Sequence, residues 1–165
     1  MTPATPPLLP KPPALSADER AQCAALAALL HASRGLAHWA LTLGAIALLL
    51  SLAMPVLAGP SISAWQQYTL ILVVLLSIIE RYLAFRLHLD ERLFTHLAQG
   101  HIASLTALDE ALARLRLRPR PGVTRPLDER VAGTRRWMTR HAAVVGLQFL
   151  ALLAGLIPTL IRPWP

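Results

Sequence analysis

The sequence predicts an all-α integral membrane protein: three transmembrane helices, an amphipathic N-terminal helix, and a helical cytoplasmic hairpin between the second and third spans. Leu36–Ala58, Ile62–Ile79 and Ala142–Ile161 are apolar runs, each close to the about 17–25 residues a helix needs to cross a hydrocarbon core. Of the 16 Lys and Arg residues, 12 fall between Arg81 and Arg140, whereas Gly59–Ser63, joining spans one and two, carries no charge. Basic loops are retained in the cytoplasm, so the N-terminus reads as inside, the 59–63 turn as periplasmic, and the C-terminus as outside. Trp39 and Trp137 then fall at the inner headgroup level, and Trp65 and Trp164 at the outer, where amphipathic rings prefer to sit.

Composition narrows the class. The chain has 165 residues, is 55% hydrophobic and carries a formal charge of +7. That charge would point to nucleic acid in a soluble protein, but here the positive-inside rule accounts for it. Fifteen of the basic residues are Arg and only Lys11 is Lys, in a background of Ala and Leu. This bias matches a GC-rich bacterial genome and places the protein in a bacterial inner membrane. The lone cysteine, Cys23, excludes an internal disulfide and a multi-cysteine metal site. Val56-Leu57-Ala58 before Gly59 resembles a signal-peptide cleavage site, yet about 35 residues precede the run, far more than a usual n-region, so span one reads as an anchor.

In chain order, residues 1–15 form a proline-rich tail whose PxxP spacings suit either a docking peptide or a stiff, solvated extension. Ser16-Ala-Asp-Glu19 is a capping box, opening a cytoplasmic helix within 16–34 that carries a narrow stripe of Leu26, Leu29, Leu30 and Ser33. Gly35 offers a bend before span one, residues 36–58. Span two, 62–87, meets no Gly or Pro before Gln99 and extends into the cytoplasm. The loop 88–140 carries a seam at Phe94, Ala98, His101, Leu105, Leu108, Leu112 and Leu115, alternately four and three apart. Segment 118–126 stops any helix, and Gly100 offers a bend that folds 101–117 back toward the membrane. The return arm repeats the spacing at Leu127, Val131, Thr134, Met138, His141 and Val145, and enters span three, 141–162, before a periplasmic tail at 163–165.

Candidate contact residues follow from membrane packing. Ala40 and Gly44 in span one, with Gly146 and Gly155 in span three, provide small side chains four residues from another small one, which lets helices approach closely. Gln148 and Glu80 are polar groups in or beside spans, and an acid at that depth faces a partner or a wet cavity. Leu105, Leu108 and Leu112 are the core of the cytoplasmic seam. Arg114, Arg116, Arg118, Arg120, Arg135 and Arg136 make a basic face for anionic lipid headgroups. Nucleic acid is not expected, because the loop lacks stacking aromatics apart from Phe94 and Trp137. The histidines lack helical metal-ligand spacing, and His38 sits beside interfacial Trp39, so neither metal nor haem is expected. No hydrolase elbow, P-loop or dinucleotide turn occurs, and no catalytic residues are assigned.

The three-pass, N-inside layout resembles the membrane-anchor subunits of succinate dehydrogenases, which carry a haem-ligating His in the second span; Ile62–Ile79 has none. It also resembles stators of the ExbB and TolQ type and small phage holins, in the number of spans but with opposite orientation. The leading expectation is a non-catalytic accessory or scaffolding subunit of an inner-membrane complex, partnered by other membrane-protein subunits. The alternative is a homo-oligomeric channel or pore-former, for which Gln66, Gln67 and Glu80 offer only a sparse polar stripe.

Overall fold

The computed structural model describes residues 14–58, 63–116 and 125–161, the side chains of 57, 58 and 158–161 excepted. Most of the proline-rich tail, Gly59, Arg118, Arg120, Trp164 and the 163–165 tail lie outside the described residues. Among the described residues there are four helices: α1 (Ala17–Ala58), α2 (Ala64–Ala98), α3 (Leu105–Arg114) and α4 (Leu127–Ile161).

The expected capping box starts α1: Ser16 N donates to Glu19 Oε2 at 2.7 Å, and Glu19 N donates to Ser16 Oγ at 3.2 Å. The break expected at Gly35 is absent, and the cytoplasmic helix and first span form one 42-residue helix. A helical glycine costs only about 1 kcal/mol. Against it stands an inward face that runs uninterrupted past the glycine: Leu26, Leu30, Ser33, Ala37, Ala40, Gly44 and Ala47 are each buried or half-buried. Gly35 is exposed on another face, where a Cβ would meet nothing within 4 Å.

A second capping box opens α2: Gln66 N donates to Ser63 Oγ at 3.3 Å, and Ser63 N to Gln66 Oε1 at 3.3 Å. The helix closes with Gly100 at φ +74, a left-handed position glycine adopts without strain. Gly100 N donates to Leu97 O at 3.1 Å and His101 N to His96 O at 3.0 Å, the paired bonds of a Schellman ending. This turn splits the seam expected to run from Phe94 to Leu115. His101 and Leu115 are consequently exposed, and Leu97 rather than Ala98 is fully buried. Ser104 caps α3 by accepting from Ala107 N at 3.1 Å.

Along α4 the four-three spacing continues the whole way, through Leu127, Thr134, His141 and Val145 to Gln148, Leu152 and Gly155, all buried. Two apolar clusters result. One gathers Leu15, Cys23, Leu26, Leu30, Leu87, Phe94, Leu97, Leu108 and Leu127; the other gathers Ala47, Leu70, Val73, Ala151 and Leu152. Between them lies a layer of buried polar side chains.

Over Ala17–Val56 and Leu127–Ile157, α1 and α4 contain stretches long and apolar enough to cross a membrane. The same is not shown for α2, expected as the middle span. Its apolar run, Leu70–Ile79, broken only by Ser77, is about 15 Å long, half of a hydrocarbon core of about 30 Å. Gln66 and Gln67 precede the run and Glu80 ends it, so length and composition alone do not make α2 a span.

Candidate functional site

The polar layer is built by three helices at one level. Glu80 sits at 0% exposure on α2, and His141 at 1% on α4. Glu80 Oε1 lies 2.9 Å from His141 Nε2. The other oxygen, Oε2, accepts from Arg81 Nε at 2.7 Å, and Arg81 Nη2 donates to Ala37 O on α1 at 2.6 Å. One carboxylate thus ties α2 to α4 directly and to α1 through Arg81. Sequence spacing could not disclose this, because the helical neighbours of Glu80 cannot pair with it and His141 lies 61 positions away.

About two turns beyond His141 on α4, Gln148 is wholly buried. Its Nε2 donates to Ala40 O on α1 and to Ser77 Oγ on α2, both at 2.9 Å. Two glycines permit these close approaches. A Cβ at Gly44 would collide with Ser77 Oγ and lie 2.8 Å from Ser77 Cβ, and one at Gly155 would lie 2.6 Å from Thr69 Oγ1. Toward the far end, Gln67 Nε2 donates to Ser51 Oγ at 3.3 Å, and Trp65 Nε1 to Ala154 O at 3.2 Å. Every long helix is cross-linked to another by side-chain hydrogen bonds at each of these levels.

A second charged cluster joins α1 to α2 nearer the N-terminus of α1. Glu91, buried, accepts from Arg34 Nε at 2.9 Å and faces His31 Nδ1 at 3.1 Å and His88 Nδ1 at 3.4 Å. Burial pushes the Glu91 carboxyl up, but the hydrogen bonds from His31, Arg34 and His88 together outweigh it and hold it below the ordinary carboxylate value. Burial, aided by the Glu19 charge, raises the Cys23 thiol, which is inert packing in the first apolar cluster. α3 is fixed to α4 by a buried ion pair, Arg130 Nη2 to Asp109 Oδ2 at 2.6 Å. Beside it an open cavity of about 310 Å³ is lined by Leu93, Leu97, Leu112, Arg130 and Trp137, among others.

The residues singled out from sequence are distributed as follows. Ala40, Gly44, Glu80, Gln148 and Gly155 meet in the polar layer and the helix contacts around it. Gly146 does not: it faces outward, with nothing within 4 Å of an added Cβ, so it takes no part in packing within the chain. Leu108 is buried in the first apolar cluster, with Leu105 and Leu112 half-buried against it. Arg114, Arg116, Arg135 and Arg136 are exposed. The histidine inside the bundle is His141; His38 is exposed and bonded through Nδ1 to Arg34 O at 2.8 Å. Among the described residues, no three His, Cys, Asp or Glu side chains converge as metal ligands.

Compared with models of known families, with curated proteins and with solved structures, the chain matches none. Its own geometry therefore carries the functional reading.

Proposed function

We propose that this chain is a three-pass subunit of a bacterial inner-membrane assembly, N-terminus cytoplasmic and C-terminus periplasmic, acting by helix contact rather than catalysis. The observation that carries this reading is inverted polarity. Gln66, Thr69, Glu80, His141 and Gln148 are buried, whereas Leu49, Leu52, Val56, Leu72, Leu75, Ile78, Phe149, Leu150 and Ile157 are exposed. Water would favour the reverse arrangement; hydrocarbon favours this one, because buried polar groups bond to each other and apolar side chains face lipid.

The same pattern supports α2 as the middle span. Exposed Trp65 and Tyr68 mark one end, and exposed Tyr82 and Phe85 the other. Trp65 to Tyr82 is about 26 Å of helix at about 1.5 Å per residue, close to a hydrocarbon thickness of about 30 Å. Trp39 to Val56 on α1 and Trp137 to Ala154 on α4 have the same spacing and are held in register by the bonds already described. Of the polar groups that shorten the apolar run of α2, Gln67 bonds to Ser51 of α1 and Glu80 to His141 of α4, while buried Gln66 bonds to Ser63 at the start of its own helix.

The basic face lies just inside the Trp137 level. Arg140 stacks 5.0 Å from the Trp137 ring centroid, and exposed Arg135 and Arg136 flank it. Each contributes about 1 kcal/mol of attraction where it reaches an anionic leaflet. The surface left for a partner is apolar and includes the small residues Ala142 and Gly146, which are exposed on α4. Extraction in mild detergent followed by intact-mass measurement tests the reading: unlike chains in fixed ratio support a subunit, and a ring of identical chains overturns it in favour of a pore-former.

A further inference from the structure

The Schellman ending of α2 brings together two imidazoles that are five positions apart in sequence. In this motif the third residue from the end of the helix and the second residue beyond the cap become neighbours, and apolar side chains usually fill both places. Here they are His96 and His101. Their Nδ1 atoms lie 3.3 Å apart, with ring centroids at 5.5 Å and planes inclined by 48°. Both side chains lie exposed at the surface.

We infer that this corner is a two-imidazole site for a divalent transition-metal ion. Imidazole nitrogens bind such ions at about 2.0–2.1 Å, and two bonds of that length at a tetrahedral angle span about 3.3 Å. The two Nδ1 atoms lie at that separation, and the backbone bonds Gly100 N to Leu97 O and His101 N to His96 O hold the two backbone positions together. Binding requires only that the exposed rings turn until both Nδ1 lone pairs meet the ion. Two positions on the ion remain for water or for a ligand from another molecule. Arg20 of α1 approaches this corner, its guanidinium carbon lying 3.8 Å from the place of a Cβ at Gly100, so its charge opposes the ion.

The alternative use of the same separation is a hydrogen bond from one neutral imidazole to the other, which holds no metal. The two are distinguished by titrating the full-length protein in detergent with Cu²⁺, Ni²⁺ and Zn²⁺ in turn, in chelator-free buffer at neutral pH. We expect one equivalent of Cu²⁺ bound more tightly than Ni²⁺ or Zn²⁺, with two nitrogen ligands in the electron paramagnetic resonance spectrum. Loss of a second-shell partner alone weakens metal sites by about 10–100-fold, so His96→Ala and His101→Ala should each weaken binding by at least about tenfold. Arg20→Ala should tighten it, and His38→Ala and His31→Ala should leave it unchanged. Circular dichroism of the two site variants shows that the fold is retained. Binding that survives His96→Ala, that disappears in His31→Ala, or that is absent at millimolar metal overturns the site and leaves the imidazole pair as a hydrogen bond.

Discussion

Adding one methyl group at Gly44 and one at Gly146 should have opposite consequences, although both glycines lie on apolar helices and both belong to small-residue motifs. At Gly44 an alanine Cβ would lie 2.8 Å from Ser77 Cβ, against ordinary contact from 3.4 Å, so α1 and α2 must separate by roughly 0.6 Å or Ser77 must move. Ser77 cannot move freely. Its hydroxyl donates to Val73 O at 2.8 Å and accepts from Gln148 Nε2 at 2.9 Å, and displacement loses the second bond. Overpacking of this kind costs about 1–3 kcal/mol. Alanine is a better helix former than glycine by up to about 1 kcal/mol, but that gain occurs at both sites and cancels between them. Gly44→Ala should therefore be less stable than Gly146→Ala by about 1–3 kcal/mol, or about 5- to 150-fold in the unfolding equilibrium. The assay is unfolding in mixed detergent micelles followed by tryptophan fluorescence. Ser77→Gly should recover part of the loss in the Gly44→Ala background, as expected for two groups in contact. Equal stability of the two alanine variants would refute the close approach of α1 and α2 at this level.

Three further outcomes follow from the buried charges. His141→Ala removes the imidazole from the Glu80 carboxylate at 0% exposure, which keeps Arg81, and should cost about 1–3 kcal/mol, measured in the same micelles, whereas Glu80→Gln should cost less. Arg130→Met strands Asp109 and should release α3, read as faster proteolysis within 105–116; the double variant Arg130→Met with Asp109→Leu should be protected again. The Glu91 cluster should loosen in acid. A lowered carboxyl contributes stability that is complete above its ordinary value of about 4.3 and is lost as pH falls through the lowered one. Hydrogen exchange of the 28–35 backbone should thus rise below about pH 4, and Glu91→Gln should remove that pH dependence.

Local signals in the sequence were legible where chemistry and spacing agree. Ser16-Ala-Asp-Glu19 reads as a capping box and forms one, and the spacing of Leu127, Val131, Thr134 and Met138 marks the buried face of α4. Gly100 reads as a turn because only there does the pattern of α2 meet a residue free to adopt positive φ. Illegible were the pairings between distant positions: Glu80 with His141, Gln148 with Ala40 and Ser77, Arg130 with Asp109, and His31 and Arg34 with Glu91. Each depends on how two helices are rotated against each other, which a single helix's periodicity leaves open. Gly35 and Gly146 show the converse limit. A glycine's effect depends on which face it occupies, and both face outward, where neither a bend nor a close contact is required. The closeness of His96 and His101 did carry a readable sign, since the Schellman motif brings these two positions together, whereas helical spacing does not describe a pair that straddles a helix end.

The three-pass bundle requires that α2 crosses the membrane with its polar side chains turned inward. Its direct test is the sidedness of the two ends of α2. In a Cys23→Ser background, single cysteines at Ser63 and at Glu110 are treated in intact cells with a membrane-impermeant maleimide, before and after permeabilisation. Ser63→Cys should be labelled in intact cells and Glu110→Cys only after permeabilisation. Labelling of both from the same side would mean that α2 does not cross, and would contradict the three-pass bundle.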